Sequence, residues 1–158
     1  MRVINIIGEI DEKMTEAVFE RLYELEAESK DPVTVFLSSD GGCAYDALAI
    51  TGRLVSSPCV IHINAFGRVM SAAVLILASG DVRTADPMTW FMVHEDSGAQ
   101  EGNTSGVVKA AIQMRREEQH WNSMMQHFTG TSAAQWDKLS RKTTYFQVSE
   151  AKKLGLVD

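Results

Sequence analysis

Cysteine is scarce in this chain. Its 158 residues include two, Cys43 and Cys59, which show neither the spacing of a zinc site nor the density of a secreted disulfide framework. We expect both thiols to be buried and reduced, as unpaired cysteines usually are. Low-complexity stretches, long linkers and internal repeats are also missing, which predicts a single domain over residues 1–158.

Long hydrophobic runs and an excess of positive charge are absent as well. The longest apolar run, Ala72–Ala78, is far shorter than a membrane span, and the apolar stretch Val3–Ile7 is soon followed by Glu9 and Asp11, unlike a signal peptide. Fifteen basic residues against 21 acidic ones give a net charge of -6, which argues against a nucleic-acid-binding protein. The sequence thus predicts a cytoplasmic protein with no membrane or nucleic-acid partner.

Apolar residues follow a pattern of strands that alternate with helices. The predicted strands lie at 2–7, 33–37, 60–65, 83–85 and 89–93. The predicted helices lie at 12–29, 44–55, 71–80, 104–128, 132–139 and 149–154. This order predicts an α/β fold with a parallel sheet, right-handed crossovers and functional loops at the carboxyl ends of the strands.

The longest predicted helix, at 104–128, is too apolar for a freely solvated helix. Its apolar side chains are Val107, Val108, Ile112, Met114, Trp121, Met124, Met125 and Phe128. We expect part of this surface to pack against another subunit. The alternative is that the helix packs on its own sheet alone.

Ser71 places a hydroxyl where a strand turns into a buried apolar helix. A serine that begins a helix is far more often an N-cap than a nucleophile. The N–H groups of a helix N-terminus also favour negative charge, so the N–H of Ala72 is a natural oxyanion donor. Gly42, in the pair Gly41-Gly42, can bring a second N–H close, although two glycines after a strand are usually only a turn.

A lone histidine fits the same chemistry. His94 follows an apolar strand that ends at Val93, which brings its imidazole to a strand end, where it could serve a serine as general base. Such a histidine is more often a structural hydrogen-bonding residue. The other histidines, His62, His120 and His127, lack the close pairing of zinc ligands, and the sequence predicts neither a metal nor a cofactor.

Five segments, taken in order, resemble the proteolytic subunit of the ATP-dependent Clp protease, the ClpP family of serine peptidases with a crotonase-like fold. They are Ile6–Asp11, Leu37–Gly42, Gly67–Gly80, Met92–His94 and Ser149–Asp158. In the second segment, aspartate replaces the proline of the family's Asn-Ser-Pro-Gly-Gly motif. The resemblance covers nearly the whole chain and implies repeated β-α-β units with a mostly parallel sheet, with the long helix as a protruding handle.

The resemblance also implies roles for individual residues. Ser71 would be the nucleophile, His94 its base, and Gly42 and Ala72 the oxyanion hole. Two segments would lie along a bound peptide as extra strands: Gly41, Gly42, Cys43 and Ala44, and Ser97, Gly98, Ala99, Gln100 and Glu101. The handle would pair heptameric rings of identical subunits into a tetradecamer, and an AAA+ unfoldase is the implied partner.

The third member of the catalytic triad departs from the family pattern. Thr144 stands where the family has its catalytic aspartate. We expect the Thr144 hydroxyl to accept a hydrogen bond from His94, but a hydroxyl cannot stabilise an imidazolium charge as a carboxylate does. The carboxylates that could substitute are Glu95, Asp96 and Asp137.

Two further departures lie elsewhere. Ala72 and Ala73 replace the Met-Gly that follows the family's serine, which changes the pocket beside the oxyanion hole. The family's N-terminal axial segment, which gates the pore and meets the ATPase, has no counterpart before the first strand, so the sequence predicts a ClpP-like domain without it.

Two functions from different classes therefore stand. The first is a Clp-type serine endopeptidase that hydrolyses peptide bonds inside an oligomeric chamber, favoured because an inactive subunit has no chemical reason to keep both Ser71 and His94. The second is a catalytically weak or inactive ring subunit or assembly protein, favoured by Thr144. A third reading, an acyl-CoA enzyme of the crotonase group, would not need a serine–histidine pair.

Overall fold

The computed structural model describes residues 2–95 and 102–158, which form a mixed α/β domain. Its strands are β1 Val3–Ile10, β2 Val33–Gly42, β3 Ile61–Met70, β4 Val82–Ala85, β5 Trp90–Val93 and β6 Thr144–Gln147. Its helices are α1 Glu12–Glu28, α2 Ala44–Val55, α3 Ala72–Ala78, α4 Thr104–Thr129, α5 Ala133–Arg141 and α6 Val148–Lys153.

All six strands join one mostly parallel sheet. Its order is β1-β2-β3-β5-β6, and β4 pairs with β3 beside this path. The pairs within β1, β2, β3, β4 and β5 are parallel, and β6 alone runs antiparallel, against β5. The predicted α/β fold with a mostly parallel sheet is confirmed.

The core lies between this sheet and its helices. All seven residues of α3 are buried, which explains why its sequence is uniformly apolar. Helix α1 instead buries one stripe, Val18, Leu22 and Leu25, against the strands, as its helical spacing predicts. Burial of this kind is the main favourable contribution to the stability of the domain.

Three strands, β1, β2 and β3, continue beyond their predicted ends, and one strand was not predicted. Gly41 and Gly42, expected to form a turn, are the last residues of β2 and pair with Glu9 and Ile10 of β1. Strand β3 likewise continues to Met70. The short strand β6 was missed because its four residues become a strand only through pairing with β5.

The two cysteines differ in burial. Cys59 is buried as expected, but Cys43 is exposed, and both are free thiols. The expectation for Cys43 was wrong because this residue lies between β2 and α2, where it is the N-cap of the helix rather than part of the apolar stripe. Neither position fits a metal site: within the described residues no group of three His, Cys, Asp or Glu could hold a metal ion.

Helix α4 has two unlike halves. Val107, Val108 and Ile112 in its first half are exposed, whereas Asn122 and Met125 in its second half are buried. The prediction covered apolar residues along the whole helix; Met125 is buried within the subunit, and contact of the remaining surface with another subunit stays a prediction. In the part of the chain that the structure describes, no helix is long and apolar enough to cross a membrane.

An ion pair joins α1 to α2. Both guanidinium nitrogens at the end of Arg53 contact the two carboxylate oxygens of Glu26, and the Ser57 hydroxyl donates to the same carboxylate at 2.7 Å. Both charged side chains are largely buried. The Arg53 hydrogen bond, opposed by desolvation and aided by Ser57, holds the pKa of Glu26 below its ordinary value of 4.5.

Glu26→Gln is therefore expected to lower the free energy of unfolding by about 1–2 kcal/mol at neutral pH, because a charge-assisted bidentate contact is lost. A lowered folded-state pKa stabilises the protein above the unfolded pKa, and this stabilisation is lost as the pH falls through the folded pKa. Urea unfolding at neutral pH and at about pH 3 should show a difference between wild type and variant that shrinks at the lower pH. Glu24→Gln, at an exposed ion pair with Arg21, is the control and should change little.

Candidate active site

Ser71 occupies the turn between β3 and α3 in a conformation that a serine rarely adopts. Its φ of 53° and ψ of -124° lie outside the regions favoured by residues with a Cβ. The backbone is held there from both sides: the Ser71 N–H donates to the Met92 carbonyl at 2.8 Å, and the Ser71 carbonyl accepts from the Val74 N–H at 3.0 Å. The side chain makes no capping bond to α3, which leaves the hydroxyl available to another group.

That group is His94. The distance between Ser71 Oγ and His94 Nε2 is 2.8 Å, a hydrogen bond between a hydroxyl and a base of the kind that activates a serine nucleophile. Met70 at the end of β3 pairs with Met92 of β5, so the two strand ends lie side by side and bring the residues that follow them together. The predicted pairing of these two side chains is present in the structure.

The imidazole is oriented by a backbone carbonyl. His94 Nδ1 lies 2.6 Å from the Glu95 carbonyl oxygen. Because a carbonyl oxygen can only accept, Nδ1 carries the proton of the neutral imidazole, and Nε2 presents its lone pair to the serine hydroxyl. This is the tautomer that a general base needs.

Thr144 is near the histidine in the sheet but is bonded elsewhere. It begins β6 and pairs with Val93, the residue before His94. Its hydroxyl donates to the Leu139 carbonyl at 2.7 Å. The expected hydrogen bond from His94 to Thr144 is therefore replaced by the bond to the Glu95 carbonyl.

The candidate substitute acids are also engaged elsewhere. Asp137 accepts from Arg141 at 2.8 Å and from Arg115 at 3.0 Å, and these bonds, Arg141 first, hold the pKa of Asp137 below its ordinary value. The Glu95 carboxylate faces Arg141 at 3.9 Å. Within residues 2–95 and 102–158 no carboxylate hydrogen-bonds His94, and Asp96 lies outside the described residues.

The glycine pair lies directly against the nucleophile turn. Gly41 has φ +99°, and a Cβ there would lie 2.7 Å from the Ser71 Cβ and 3.0 Å from the Ala72 nitrogen. Gly42 has φ +150°, and a Cβ there would lie 2.2 Å from the Ile10 carbonyl oxygen. Both positions therefore require glycine, for backbone conformation and for space.

Two backbone N–H groups are placed to act as oxyanion donors. The Cys43 N–H is bonded to the Ile10 carbonyl at 2.8 Å. Since successive N–H groups of an extended segment point to opposite sides, we expect the Gly42 N–H to face away from β1. Ala72 is the first residue of α3, where the N–H has no partner within the helix.

A cavity of about 450 Å³ opens beside these groups. Ser71, His94, Gly42 and Ala72 all line it, together with residues from α2, α4 and α5. Ala44, expected to contact a peptide, is also in the lining. The second expected peptide segment, Ser97–Glu101, lies outside the described residues.

Comparison with known proteins accounts for this arrangement. The family model described as Clp protease matches residues 1–158, the whole chain. The chain belongs to the Clp protease family. It is also similar to a solved structure, an asparagine-to-aspartate mutant of ClpP1 from Listeria monocytogenes. That match has 28% identity and a TM-score of 0.91, and it covers 99% of this chain and 88% of the other. Membership makes the chain a peptidase of the serine type by class, with the ClpP fold.

Sequence reasoning missed three contributors to this Clp-type site. The orienting atom on His94 is the backbone oxygen of Glu95, which has no signature in a sequence because every residue carries a carbonyl. Tyr45 and Glu117 line the cavity from α2 and α4. An aromatic residue three positions after the glycine pair was the only available signal for Tyr45, and Glu117 had none.

Thr144→Asp is expected to raise the peptide-hydrolysis rate about tenfold or more, through kcat rather than KM. A carboxylate cannot donate to the Leu139 carbonyl, so it should turn away from that oxygen, and a charge near His94 stabilises the imidazolium that forms during catalysis. Steady-state kinetics on a fluorogenic peptide measures the change. Asparagine has nearly the same shape as aspartate but no charge, so Thr144→Asn is the control. An equal gain in kcat in both variants would contradict the electrostatic explanation.

Proposed function

We propose that this chain is a Clp-type serine endopeptidase subunit that hydrolyses peptide bonds within an oligomeric chamber. The observation that supports it most directly is the 2.8 Å contact between Ser71 Oγ and His94 Nε2. A nucleophile, its base and two oxyanion donors share one cavity, which is the complete set of groups needed for acyl transfer.

The reaction follows from this geometry. Ser71 Oγ attacks the carbonyl carbon of the peptide bond while its proton passes to His94 Nε2. The Gly42 and Ala72 N–H groups stabilise the oxyanion of the tetrahedral intermediate. His94 then gives the proton to the leaving amine as the peptide C–N bond breaks. A water molecule, deprotonated by the same nitrogen, attacks the acyl carbon, and His94 returns the proton to Ser71 Oγ as the acyl group leaves.

The Glu95 carbonyl performs one of the two tasks of a triad aspartate. It fixes the tautomer and the orientation of His94, because it accepts the Nδ1 proton. It carries only a dipole, so it stabilises the imidazolium less than a full negative charge does. Replacing the acid of a triad by an amide costs about 10⁴ in kcat largely by selecting the wrong tautomer, and a carbonyl acceptor avoids that part of the loss. We therefore propose an active but slow peptidase.

Substrate and assembly follow the family. A peptide would lie along Gly41–Ala44 as an added strand, since Gly41–Cys43 is extended and Gly41 lies directly against the nucleophile turn. The exposed apolar residues Val107, Val108 and Ile112 on the first half of α4 support pairing of subunits through this helix, in heptameric rings that stack as a tetradecamer. An AAA+ unfoldase is the proposed partner.

The alternative is a catalytically weak or inactive ring subunit. One observation favours it. The Thr144 hydroxyl donates to the Leu139 carbonyl, and His94 has no charged hydrogen-bond partner among the described residues. The two proposals differ in whether Ser71 reacts with an electrophile, so one chemical experiment separates them.

A diphenyl phosphonate peptide should label the wild-type oligomer once per chain, at Ser71, because only an activated serine attacks phosphorus at a measurable rate. Intact-mass measurement and peptide mapping locate the adduct. Ser71→Ala should abolish the labelling, and His94→Ala should slow it by about three orders of magnitude or more.

Ser123→Ala is the matched control, since this exposed serine on α4 is bonded to the Gln119 carbonyl, and it should label like wild type. Absence of labelling in a correctly assembled wild-type oligomer, from neutral to mildly alkaline pH, would favour the inactive subunit and end the peptidase proposal.

A further inference from the structure

The residue that orients His94 lies beyond the sheet. The last pair between β5 and β6 joins Val93 to Thr144, and Glu95 follows Val93 by two positions. The Glu95 carbonyl oxygen nevertheless lies 2.6 Å from His94 Nδ1, and Glu95 is exposed. Because neither burial nor the pairing of β5 with β6 holds this residue, a side-chain contact is needed to keep its carbonyl in place.

The Glu95 side chain has such a contact with Arg141, the last residue of α5. Arg141 Nη1 lies 3.9 Å from Glu95 Oε1, which makes an ion pair across the end of the sheet. The antiparallel register of β5 and β6 explains the proximity. In such a pair, the residues that follow Val93 run beside those that precede Thr144, and Arg141 precedes Thr144 by three positions.

The guanidinium group of Arg141 is itself held by Asp137. Arg141 Nε donates to Asp137 Oδ2 at 2.8 Å, from one helical turn further along α5. Arg115 donates to the other oxygen of Asp137 at 3.0 Å, so this carboxylate lies between two guanidinium groups. An exposed ion pair costs side-chain entropy, and an arginine that is already bonded to Asp137 loses less of it when it meets Glu95.

The position of the Glu95 carbonyl matters because it selects the tautomer of His94. If this carbonyl turned away, the single proton of the neutral imidazole would be free to move from Nδ1 to Nε2. Nε2 would then be a donor, and it could no longer accept the proton of Ser71 Oγ. An anchor on the Glu95 side chain limits this movement of its backbone.

Resting on the proposed peptidase function, we propose that Arg141 is a positioning residue for the catalytic histidine. Arg141, held by Asp137, anchors the Glu95 side chain and so keeps the Glu95 carbonyl on His94 Nδ1. It touches no reacting atom and acts through Glu95 alone. Helix α5 thereby contributes to the orientation of His94 at the place where the Thr144 hydroxyl is bonded to Leu139.

The test removes the charge of Arg141 and keeps an unbranched, helix-favouring side chain, as Arg141→Met does. In steady-state hydrolysis of a fluorogenic peptide, kcat should fall about three- to fivefold with KM unchanged, which is the size of effect that an exposed ion pair can have. Arg141→Lys, which restores a positive charge near Glu95, should recover part of the loss. Glu95→Gln should lower kcat as much as Arg141→Met does. The double variant should lose no more than either single one, because all three remove the same contact.

A spectroscopic measurement follows the tautomer itself. Solid-state NMR of the sedimented oligomer, with isotope-labelled histidine, distinguishes a protonated ring nitrogen from an unprotonated one, and His94→Gln identifies the signals of His94. At a pH where the imidazole is neutral, the wild type should carry the proton on Nδ1. Arg141→Met should move part of the population to the tautomer with the proton on Nε2.

Lys138→Met is the matched control, since it removes the same charge from an exposed position of the same helix and should change neither kcat nor the tautomer. An active wild type whose tautomer is unchanged in Arg141→Met, with or without a loss of kcat, would overturn this inference alone. Additive losses in the double variant would do the same. A wild type that hydrolyses no peptide but shows the Arg141-dependent tautomer would overturn the peptidase proposal and leave this inference intact. His94 protonated on Nε2 in the wild type would overturn this inference whatever the activity.

Discussion

The close approach of Gly41 and Gly42 to their neighbours is the constraint on which the site depends. The space that a Cβ would need is filled by the Ile10 carbonyl on one side and by Ser71 on the other. One backbone segment is thus held between β1 and the nucleophile turn, and it fixes the Gly42 N–H relative to Ser71. The strained conformation of Ser71 persists because this segment, the Met92 carbonyl and α3 all restrict it.

The histidine is placed by different forces from those that place the serine. Strand pairing brings His94 to Ser71, and the contact with the Glu95 carbonyl sets its tautomer. A carboxylate in that role would add charge as well as orientation. The carboxylate of Asp137 is instead bonded to Arg115 and Arg141. Among the described residues, the site therefore has the serine–histidine geometry of a triad without a carboxylate bonded to His94.

Much of the fold and the two central site residues could be predicted from the sequence. Ser71 and His94 stand at ends of apolar segments, and β-branched stretches identified the sheet, because these signals are local. What was missed depends on tertiary contacts. Gly41 and Gly42 belong to a strand only because β1 lies beside them, and β6 exists only against β5. Cys43 is exposed because it lies between β2 and α2, as the N-cap of the helix. The partner of His94 is a backbone atom, and no residue type encodes it.

The catalytic groups and the pocket wall of the cavity are held by separate parts of the structure. Ser71, His94 and Gly42 belong to strand ends within the sheet, whose pairing and burial hold them whatever the long helix does. The pocket wall, in contrast, comes largely from α4, which buries Asn122 and Met125 but leaves its first half exposed. Glu117 lies between these halves, and its hydrogen bond with the Tyr45 hydroxyl connects α4 to α2. A change in the surroundings of α4 would thus alter the pocket wall before it altered the positions of the nucleophile and its base.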